Sequence, residues 1–417
     1  MKQNTREKKR KGIYLILFMY WLVLLIWQNI RGTDNRDTMD IIIKAFLVLA
    51  LATGFFLRKR TINCTALVIF LIYTVIYAVT KIPTATFTFG SAMFYFFPLI
   101  VFLLFLGVGT NFTITRKELV RLCYILIVTV AYIALYAMIF QSEKYIQAIT
   151  AQNAYGNELS SFLTSSHECG FYLALGIMAS ILAFELDGKP NAFKSTFLVI
   201  CIVLFSVTLV LTFSRTAILA FFAMFLWYTF SSGRRKLKKV FLCIAIAALL
   251  IVALIPQIRE YFLLVVFKNN NDAGRNELAE AGFGIIKNSS AYNLLFGYDQ
   301  AAVKNYMMAT CGHASVHNAY LQTFVCNGFI GFAFLIGCLL YLAYHIHTTI
   351  KKVPDCKRLM MLFYGFLLAF VIIMAFQTSI LFSSTIDSYF LTLFCYVVPI
   401  YVGNAIQQGT FEEEAVA

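Results

Sequence analysis

Long apolar stretches, separated by short polar connections, restrict this chain more than any other feature. A helix needs roughly 20 apolar residues to cross a bilayer, and about twelve stretches approach that length. Only helices or closed barrels satisfy their backbone hydrogen bonds in lipid, and these uniformly apolar stretches lack the alternation of barrel strands. They lie near residues 12–30, 41–57, 62–80, 91–109, 119–141, 161–184, 195–213, 216–232, 240–256, 319–343, 359–380 and 387–404.

The expected fold is therefore all-α, a polytopic integral membrane protein with about twelve transmembrane helices. Sixty per cent of the 417 residues are hydrophobic and 13% are charged, which leaves too little polar surface for a soluble protein. The organisation divides into spans one to nine over 1–256, a long extracytoplasmic loop at 257–318, spans ten to twelve over 319–404, and a cytoplasmic tail at 405–417.

The net charge of +14 comes largely from lysines and arginines in the connections between spans. Each basic cluster follows an even number of predicted spans, so the positive-inside rule predicts that these clusters and both termini are cytoplasmic. The charge is thus read as a topology signal, and no nucleic-acid partner is expected. The clusters lie at 2–11, 58–60, 116–121, 234–239 and 351–358.

The predicted outer side carries one sizeable polar segment, the loop at 257–318. Within it, apolar residues recur at the spacing of one helix face over 275–287. The apolar face of this helix could lie on the outer membrane surface, or it could pack on the outer ends of the spans. The sequence leaves both positions open. The apolar residues at 294–298 are expected to form a buried turn.

Two arginines on the predicted outer side are candidates for binding an anion. Arg215 is the only charged residue between positions 195 and 233, and it stands where a helix begins, while Arg275 opens the predicted loop helix. Helix N-termini favour anions, and a guanidinium can bind phosphate oxygens through two hydrogen bonds. The alternatives are a snorkelling arginine at 215 and, at 275, an ion pair with a nearby loop glutamate.

Histidine and polar residues gather where the loop meets span ten. His317 can exchange a proton near neutral pH, and the adjacent Asn318 and Tyr320 could bind substrate hydroxyl groups. His313 precedes His317 by four residues and is a further candidate for binding the substrate. Cys311 and the two histidines could alternatively bind a metal ion, although the H-E-x-x-H pattern of zinc peptidases is absent.

His167 and Glu168 form a second polar pair at the predicted outer start of span six. Ionisable groups within a span usually line an interior cavity. The pair could therefore contact a polar substrate, or it could lie at the level of the lipid headgroups.

In their order and spacing these residues resemble the O-antigen ligase and repeat-unit polymerase superfamily, the Wzy and WaaL types. The likeness rests on Ser-Arg-Thr at 214–216, Gly-Arg at 274–275 and His-Asn-x-Tyr-Leu at 317–321, followed by Gly328 and Gly331. It covers mainly residues 195–345. The aromatic residue that the resemblance leads us to expect shortly after the second arginine is absent.

The resemblance implies a GT-C-like glycosyltransferase in the bacterial cytoplasmic membrane. Its expected activity is to polymerise oligosaccharide repeat units, carried on undecaprenyl pyrophosphate, into a capsular, exopolysaccharide or O-antigen chain at the outer face. Arg215 and Arg275 would hold the pyrophosphate and His317 would act on the acceptor hydroxyl, without a metal or other cofactor. A chain-length regulator and a flippase are candidate partners.

Two other functions stay open at this point. The first is transfer of a finished glycan to another acceptor, as in O-antigen ligases, because the choice of acceptor depends on the shape of the cavity. The second is transport of a lipid-linked glycan by a flippase, in which the arginines would guide an anionic headgroup.

Overall fold

The computed structural model describes residues 115–150, 157–163, 165–187, 191–233, 275–351, 357–377, 390–391 and 393–407, with isolated positions between 68 and 75 and between 238 and 263. Apart from these positions, the spans predicted at 12–30, 41–57, 62–80, 91–109 and 240–256 lie outside the described residues, as does most of the predicted tail. No strand occurs in the described part, whose elements are all helical.

The helices are named here in chain order. They are α1 (Arg116–Phe140), α2 (Ser142–Thr150), α3 (Ser166–Asp187), α4 (Ala192–Leu211), α5 (Arg215–Ser231), α6 (Arg275–Lys287), α7 (Ala291–Phe296), α8 (Gln300–Cys311), α9 (Ala319–Ile350), α10 (Lys357–Phe376), a π-helical turn (Leu393–Val397) and α11 (Val398–Gln407).

Five of these helices, α1, α3, α4, α9 and α10, are long and apolar enough to cross a membrane. They match the predicted spans five, six, seven, ten and eleven, and the shorter apolar helix α5 matches span eight. The prediction of a multi-pass helical membrane protein is therefore confirmed for the described residues. The total of about twelve spans stays a prediction.

Helix α3 lies at the centre of the described bundle and packs against α1, α4 and α5. Its sequence is apolar on every side, which is typical of a fully buried helix, and most of its residues are buried. Gly176 allows the closest approach, because a Cβ atom there would lie 2.6 Å from Val130 and 2.9 Å from Phe205.

Helices α5 and α10 pack closely and run in opposite directions. A Cβ atom at Gly365 would lie 3.0 Å from Met224, and the indole N–H of Trp227 donates to the carbonyl of Met361 at 3.1 Å. Helix α5 begins nine residues before Met224, and α10 ends eleven residues after Gly365. The start of α5 and the end of α10 are therefore close to the same level of the bundle.

One end of the bundle, the site end, collects the last residues of α1, α4 and α10 and the first residues of α3, α5 and α9. The hydroxyl of Ser161, just before α3, donates to the carbonyl of Ile133 near the end of α1, and the hydroxyl of Tyr320 at the start of α9 donates to Val371 near the end of α10. The opposite end, the basic end, carries Arg116, Lys117, Arg121, Lys194, Lys351, Lys357 and Arg358.

Helices α6, α7 and α8 form a loop subdomain at the site end. The buried apolar residues of α6 and α8 make a small core together with Val316 and the first turns of α9: Leu278, Ala281, Val303, Met307, Val316, Leu321 and Val325. The helix predicted over 275–287 is present with those bounds as α6. The sequence left open whether its apolar face lies on the membrane surface or on the tops of the spans. In the structure α6 packs against α8 and α9.

The prediction of a buried turn at 294–298 is wrong. Residues Ala291–Phe296 form the short helix α7, which Ser290 caps by accepting from the backbone N–H of Asn293 at 3.2 Å. Leu294 and Leu295 are each more than a third exposed. The backbone of this segment is held against α9 while its leucine side chains point away, so apolar composition alone gave the wrong burial.

Candidate functional site

A tight, buried turn presents Arg215 at the site end. The hydroxyl of Thr212 donates to the carbonyl of Leu209 at 2.7 Å and accepts from the backbone N–H of Ser214 at 3.2 Å. Phe213 between them has a φ of 52°, a conformation that is uncommon for a bulky residue. Thr212, Phe213 and Ser214 are fully buried, and Arg215 is the first partly exposed residue after them.

His167 lies beside this turn, in the first turn of α3. Its Nδ1 atom is 3.1 Å from the Oγ atom of Ser214, a hydrogen bond whose donor depends on the histidine tautomer. Ser214 is the N-cap of α5 but makes no side-chain capping bond to that helix. The N-terminus of α5 therefore lacks its usual serine acceptor, an arrangement suited to a bound anion.

Gly170 allows α3 and α5 to begin side by side. A Cβ atom at Gly170 would lie 2.8 Å from the Cβ of Ser214 and 3.0 Å from that of Ala217. The structure therefore brings the predicted residues His167 and Arg215 to the same place. Glu168 is in the same first turn, where its backbone N–H donates to the hydroxyl of Ser165 at 3.2 Å. Contact of His167 and Glu168 with a substrate stays a prediction.

Arg275 is the first residue of α6, and its guanidinium lies over an aromatic ring of the bundle. The Cζ atom is 5.5 Å from the ring centroid of Phe376, the last residue of α10. A guanidinium over an aromatic face gains cation–π stabilisation. An aromatic residue was expected shortly after Arg275 in sequence, and Phe376 supplies one from a different helix.

His317 stands in a turn between α8 and α9 that is held from both sides. Before it, the backbone N–H of Val316 donates to the side-chain carbonyl of Gln322 at 3.0 Å. After it, the side chain of Asn318 caps α9 by accepting from the backbone N–H of Leu321 at 3.0 Å. His317 itself has a φ of 54°, so these two hydrogen bonds hold it in a backbone conformation that costs free energy.

The surroundings of His317 favour its neutral form. Its imidazole remains accessible at the surface, but partial burial lowers its pKa below the ordinary value of 6.5, and the positive charges of His313 and Arg275 lower it further. The rings of His313 and His317 are 5.6 Å apart, centroid to centroid. A neutral imidazole at neutral pH can accept a proton, as a general base must.

Asn318 and Tyr320 both have structural roles. The amide oxygen of Asn318 caps α9, and the hydroxyl of Tyr320 donates to the carbonyl of Val371 at 2.9 Å. The second bond attaches the turn with His317 to α10, five residues before Phe376. Binding of a substrate hydroxyl by Asn318 or Tyr320 stays a prediction.

The end of α10 is close to two of the candidate residues, Arg275 and His317. Arg275 lies over Phe376, the turn that carries His317 is tied to Val371, and the start of α5 with Arg215 is close to the same level. Arg275 and His317 thus lie near one helix end, and Arg215 lies at the same end of the bundle. Such a site can bind an anion with several oxygens and accept a proton beside it.

Two residues of this arrangement escaped the sequence-based search. Gln322 is the only residue with a side-chain amide between 319 and 326, and that isolated polar group in an apolar run was a usable signal. Phe376 is one phenylalanine among 42 and gave none, because its contact with Arg275 depends on how the helices pack.

The structure gives no support to the metal-binding alternative. In the stretches described here, no three residues among His, Cys, Asp and Glu are grouped so that they could hold a metal ion. The thiol of Cys311 lies 3.9 Å from the backbone carbonyl of Glu277, which ties it to α6.

The middle of the chain is similar to a known protein family. Residues 200–336 match the family model described as Wzy_C, O-antigen ligase. The match covers about a third of the chain, from within α4 to within α9, and it includes Arg215, Arg275 and His317. Members of this family are glycosyl-transferring enzymes that act on lipid-linked glycans in the membrane. No curated protein matches the chain.

Proposed function

We propose that this chain, which the domain at 200–336 identifies as a member of the O-antigen ligase and polymerase-like superfamily, is a polysaccharide repeat-unit polymerase. It would transfer a growing glycan from undecaprenyl pyrophosphate to the next lipid-linked repeat unit, at the outer face of the bacterial cytoplasmic membrane. A GT-C-like arrangement of about twelve spans, with both termini cytoplasmic, is part of the proposal.

The distribution of charge supports this orientation. Among the described residues, lysines and arginines lie at the basic end of the bundle, on α1, α4, α9 and α10 and beside them, and the positive-inside rule assigns such an end to the cytoplasm. The site end would then face outward, where a translocated lipid-linked glycan presents its pyrophosphate at headgroup level.

The position of Arg215, Arg275 and His317 at the same end of the bundle supports the proposal. Lipid pyrophosphate is a good leaving group when its developing negative charge is stabilised, and fixed guanidinium groups in a partly dry site provide that stabilisation. The two arginines would bind the pyrophosphate oxygens without a metal ion. His317 lies close enough to Arg275 for that charge to lower its pKa.

The bond changes follow from these roles. The acceptor hydroxyl oxygen bonds to the anomeric carbon of the donor sugar, and the bond from that carbon to the pyrophosphate oxygen breaks. His317 takes the hydroxyl proton, and the electron pair of the broken bond leaves on undecaprenyl pyrophosphate. General-base assistance of this kind contributes about 10²- to 10⁴-fold in rate.

A ligase is the second candidate function, and the description of the matching family model as an O-antigen ligase favours it. Both functions use the same donor and the same bond changes. They differ in the acceptor, which is the next lipid-linked repeat unit for a polymerase and another molecule, such as a lipid A-core, for a ligase.

Purified full-length protein in nanodiscs, incubated with lipid-linked repeat units, tests the proposal. A polymerase yields longer lipid-linked glycans and releases undecaprenyl pyrophosphate. A ligase does not extend the units. It transfers the glycan only when a lipid A-core acceptor is added. A transporter leaves the glycans unchanged and moves them across liposomes.

Site variants in the same assay test the assigned roles. We expect Arg215→Gln to lower the rate about 10²- to 10³-fold, as loss of one transition-state hydrogen-bond donor does, and His317→Ala to lower it about 10²- to 10⁴-fold. Lys304→Gln removes an exposed cation of the same loop and should leave the rate unchanged. Polymer of normal length from both site variants would remove these residues from the mechanism.

A further inference from the structure

Helix α9 is longer than a membrane span and is broken near its start. A straight helix of its 32 residues would be about 48 Å long, against about 30 Å for the hydrocarbon core. Gly328 interrupts it with a φ of 63° and a ψ of −167°, leaving 22 residues from 329 to 350 that can span the bilayer alone. The bond from Tyr320 to Val371 keeps the preceding segment on the end of α10.

Helix α7 is joined to this break by direct backbone contact. A Cβ atom at Gly328 would lie 2.3 Å from the backbone of Leu295, and one at Gly297 would lie 2.3 Å from the backbone of Cys326. The backbone N–H of Tyr298 donates to the carbonyl of Val325 at 2.8 Å. The position of α7 is therefore fixed at the outer limit of the part of α9 that spans the membrane.

The exposed side chains of α7 are apolar, and exposed apolar residues of α9 directly follow Gly328, which contacts the backbone of α7. Three residues of α7 and two residues that follow Gly328 are each more than a third exposed: Tyr292, Leu294, Leu295, Phe329 and Ile330. The segment from 288 to 298 contains no charged residue. Phe329 and Ile330 belong to a helix long and apolar enough to cross a membrane, so lipid is the natural contact for that part of the surface.

We infer that α7 is inserted into the outer leaflet and that its apolar side contacts lipid acyl chains near the headgroup boundary. The neighbouring residues Phe329 and Ile330 indicate lipid as the contact, because they belong to a helix that can cross the membrane. Apolar side chains beside them would contact the same lipid. Apolar side chains of an interfacial helix gain free energy from this burial, and Tyr292 suits the boundary because its ring is apolar and its hydroxyl polar.

Insertion of α7 would fix the depth of the loop subdomain. Two hydrogen bonds at the start of α9 hold the turn with His317. The side chain of Gln322 accepts from the backbone of Val316, and the side chain of Asn318 caps the helix. With α7 seated in the leaflet, this turn stays at the level of the headgroups. The inference itself concerns lipid contact and holds whether the bound glycan is polymerised, ligated or transported.

Site-specific photo-crosslinking in the full-length protein tests the inference. The photoreactive residue p-benzoylphenylalanine replaces Leu295 in one variant and Leu294 in a second, and each variant is illuminated in nanodiscs of defined phospholipid and analysed by mass spectrometry. Both positions are exposed and accept a large apolar side chain, and the second keeps the test decisive if the first does not fold. The control is Asn276, an exposed polar position on α6.

We expect phospholipid adducts at positions 294 and 295 and none at 276. Adducts at 294 and 295 that join them to another part of this chain, or to a second copy, would overturn the inference, as would the absence of any lipid adduct. Loss of glycan polymerisation leaves this readout unaffected, so failure of the proposed function and failure of the inference are distinguishable.

Discussion

Arg215 stands on the membrane bundle, whereas Arg275 and His317 stand on the loop subdomain and the turn that follows it. The three residues before Arg215 are fully buried and are braced by α3 through His167 and Gly170. The loop subdomain has only a small core of its own and reaches the bundle through the first segment of α9 and the contact of Arg275 with Phe376.

This difference indicates that the two parts of the site have different stabilities. Regions with small cores open at lower free energy than the main core of a protein. The loop subdomain can therefore open while the bundle stays folded, and the turn with His317 is attached to the bundle by the hydrogen bond from Tyr320 to Val371. Variants that disturb one part and spare the other test this view.

The largest effect is expected from Gly328→Ala. Its backbone conformation is nearly exclusive to glycine and costs about 1–3 kcal/mol in other residues, and the new Cβ atom would lie 2.3 Å from the backbone of Leu295. We expect α7 to detach, limited proteolysis to cleave the loop between 275 and 318, and polymer synthesis to be lost.

Gly337→Ala is the matched control in the same helix, because a Cβ atom there would meet nothing within 4 Å. It should keep both protease resistance and activity. If Gly328→Ala behaves like this control, the loop subdomain does not depend on its backbone contact with α9.

A smaller effect, confined to the bundle, is expected from Gly170→Ala. The added methyl group would lie 2.8 Å from the Cβ of Ser214, and overpacking of this kind costs about 1–3 kcal/mol. The turn that carries Arg215 should move, so kcat/KM for the lipid-linked donor should fall. The loop should stay protease-resistant, and a loop that becomes sensitive would contradict the separation of the two parts.

The amino-acid sequence predicted the fold well where one physical rule dominates. Long apolar stretches must become helices in lipid, so the helices around residues 119–141 and 359–380 were found to within a few residues at most ends. The loop helix over 275–287 was also found with its bounds, because its apolar residues repeat at helical spacing. The family model matches most of the region that carries the resemblance.

The sequence failed where burial depends on neighbours distant in the chain. The residues of α7 are as apolar as a buried turn would be, and their exposure depends on the backbone contact with Gly328. The contact of Arg275 with Phe376 joins two residues 101 positions apart. No periodicity revealed that the amide oxygen of Asn318 caps α9.

The smallest expected effect measures the electrostatic link between the loop residues. The lowered pKa of His317 has three causes, burial first and then the charges of His313 and Arg275. If His317 is the general base, kcat/KM falls as the pH drops through its pKa and the imidazole becomes protonated. The wild-type protein should therefore stay active at pH values where an ordinary imidazole is already protonated.

Arg275→Gln and Arg215→Gln should differ in this pH profile even though both lower the rate. Arg275→Gln removes a positive charge beside His317, so the pKa of the imidazole rises and the acid limb of kcat/KM moves to higher pH. His313→Gln should move it the same way. Arg215→Gln should leave the limb in place, because Arg215 is not among the charges that shift this pKa. An equal movement in both arginine variants would show that Arg215 and Arg275 act on His317 as one unit, and a fixed limb in both would show that neither charge acts on the group that titrates there.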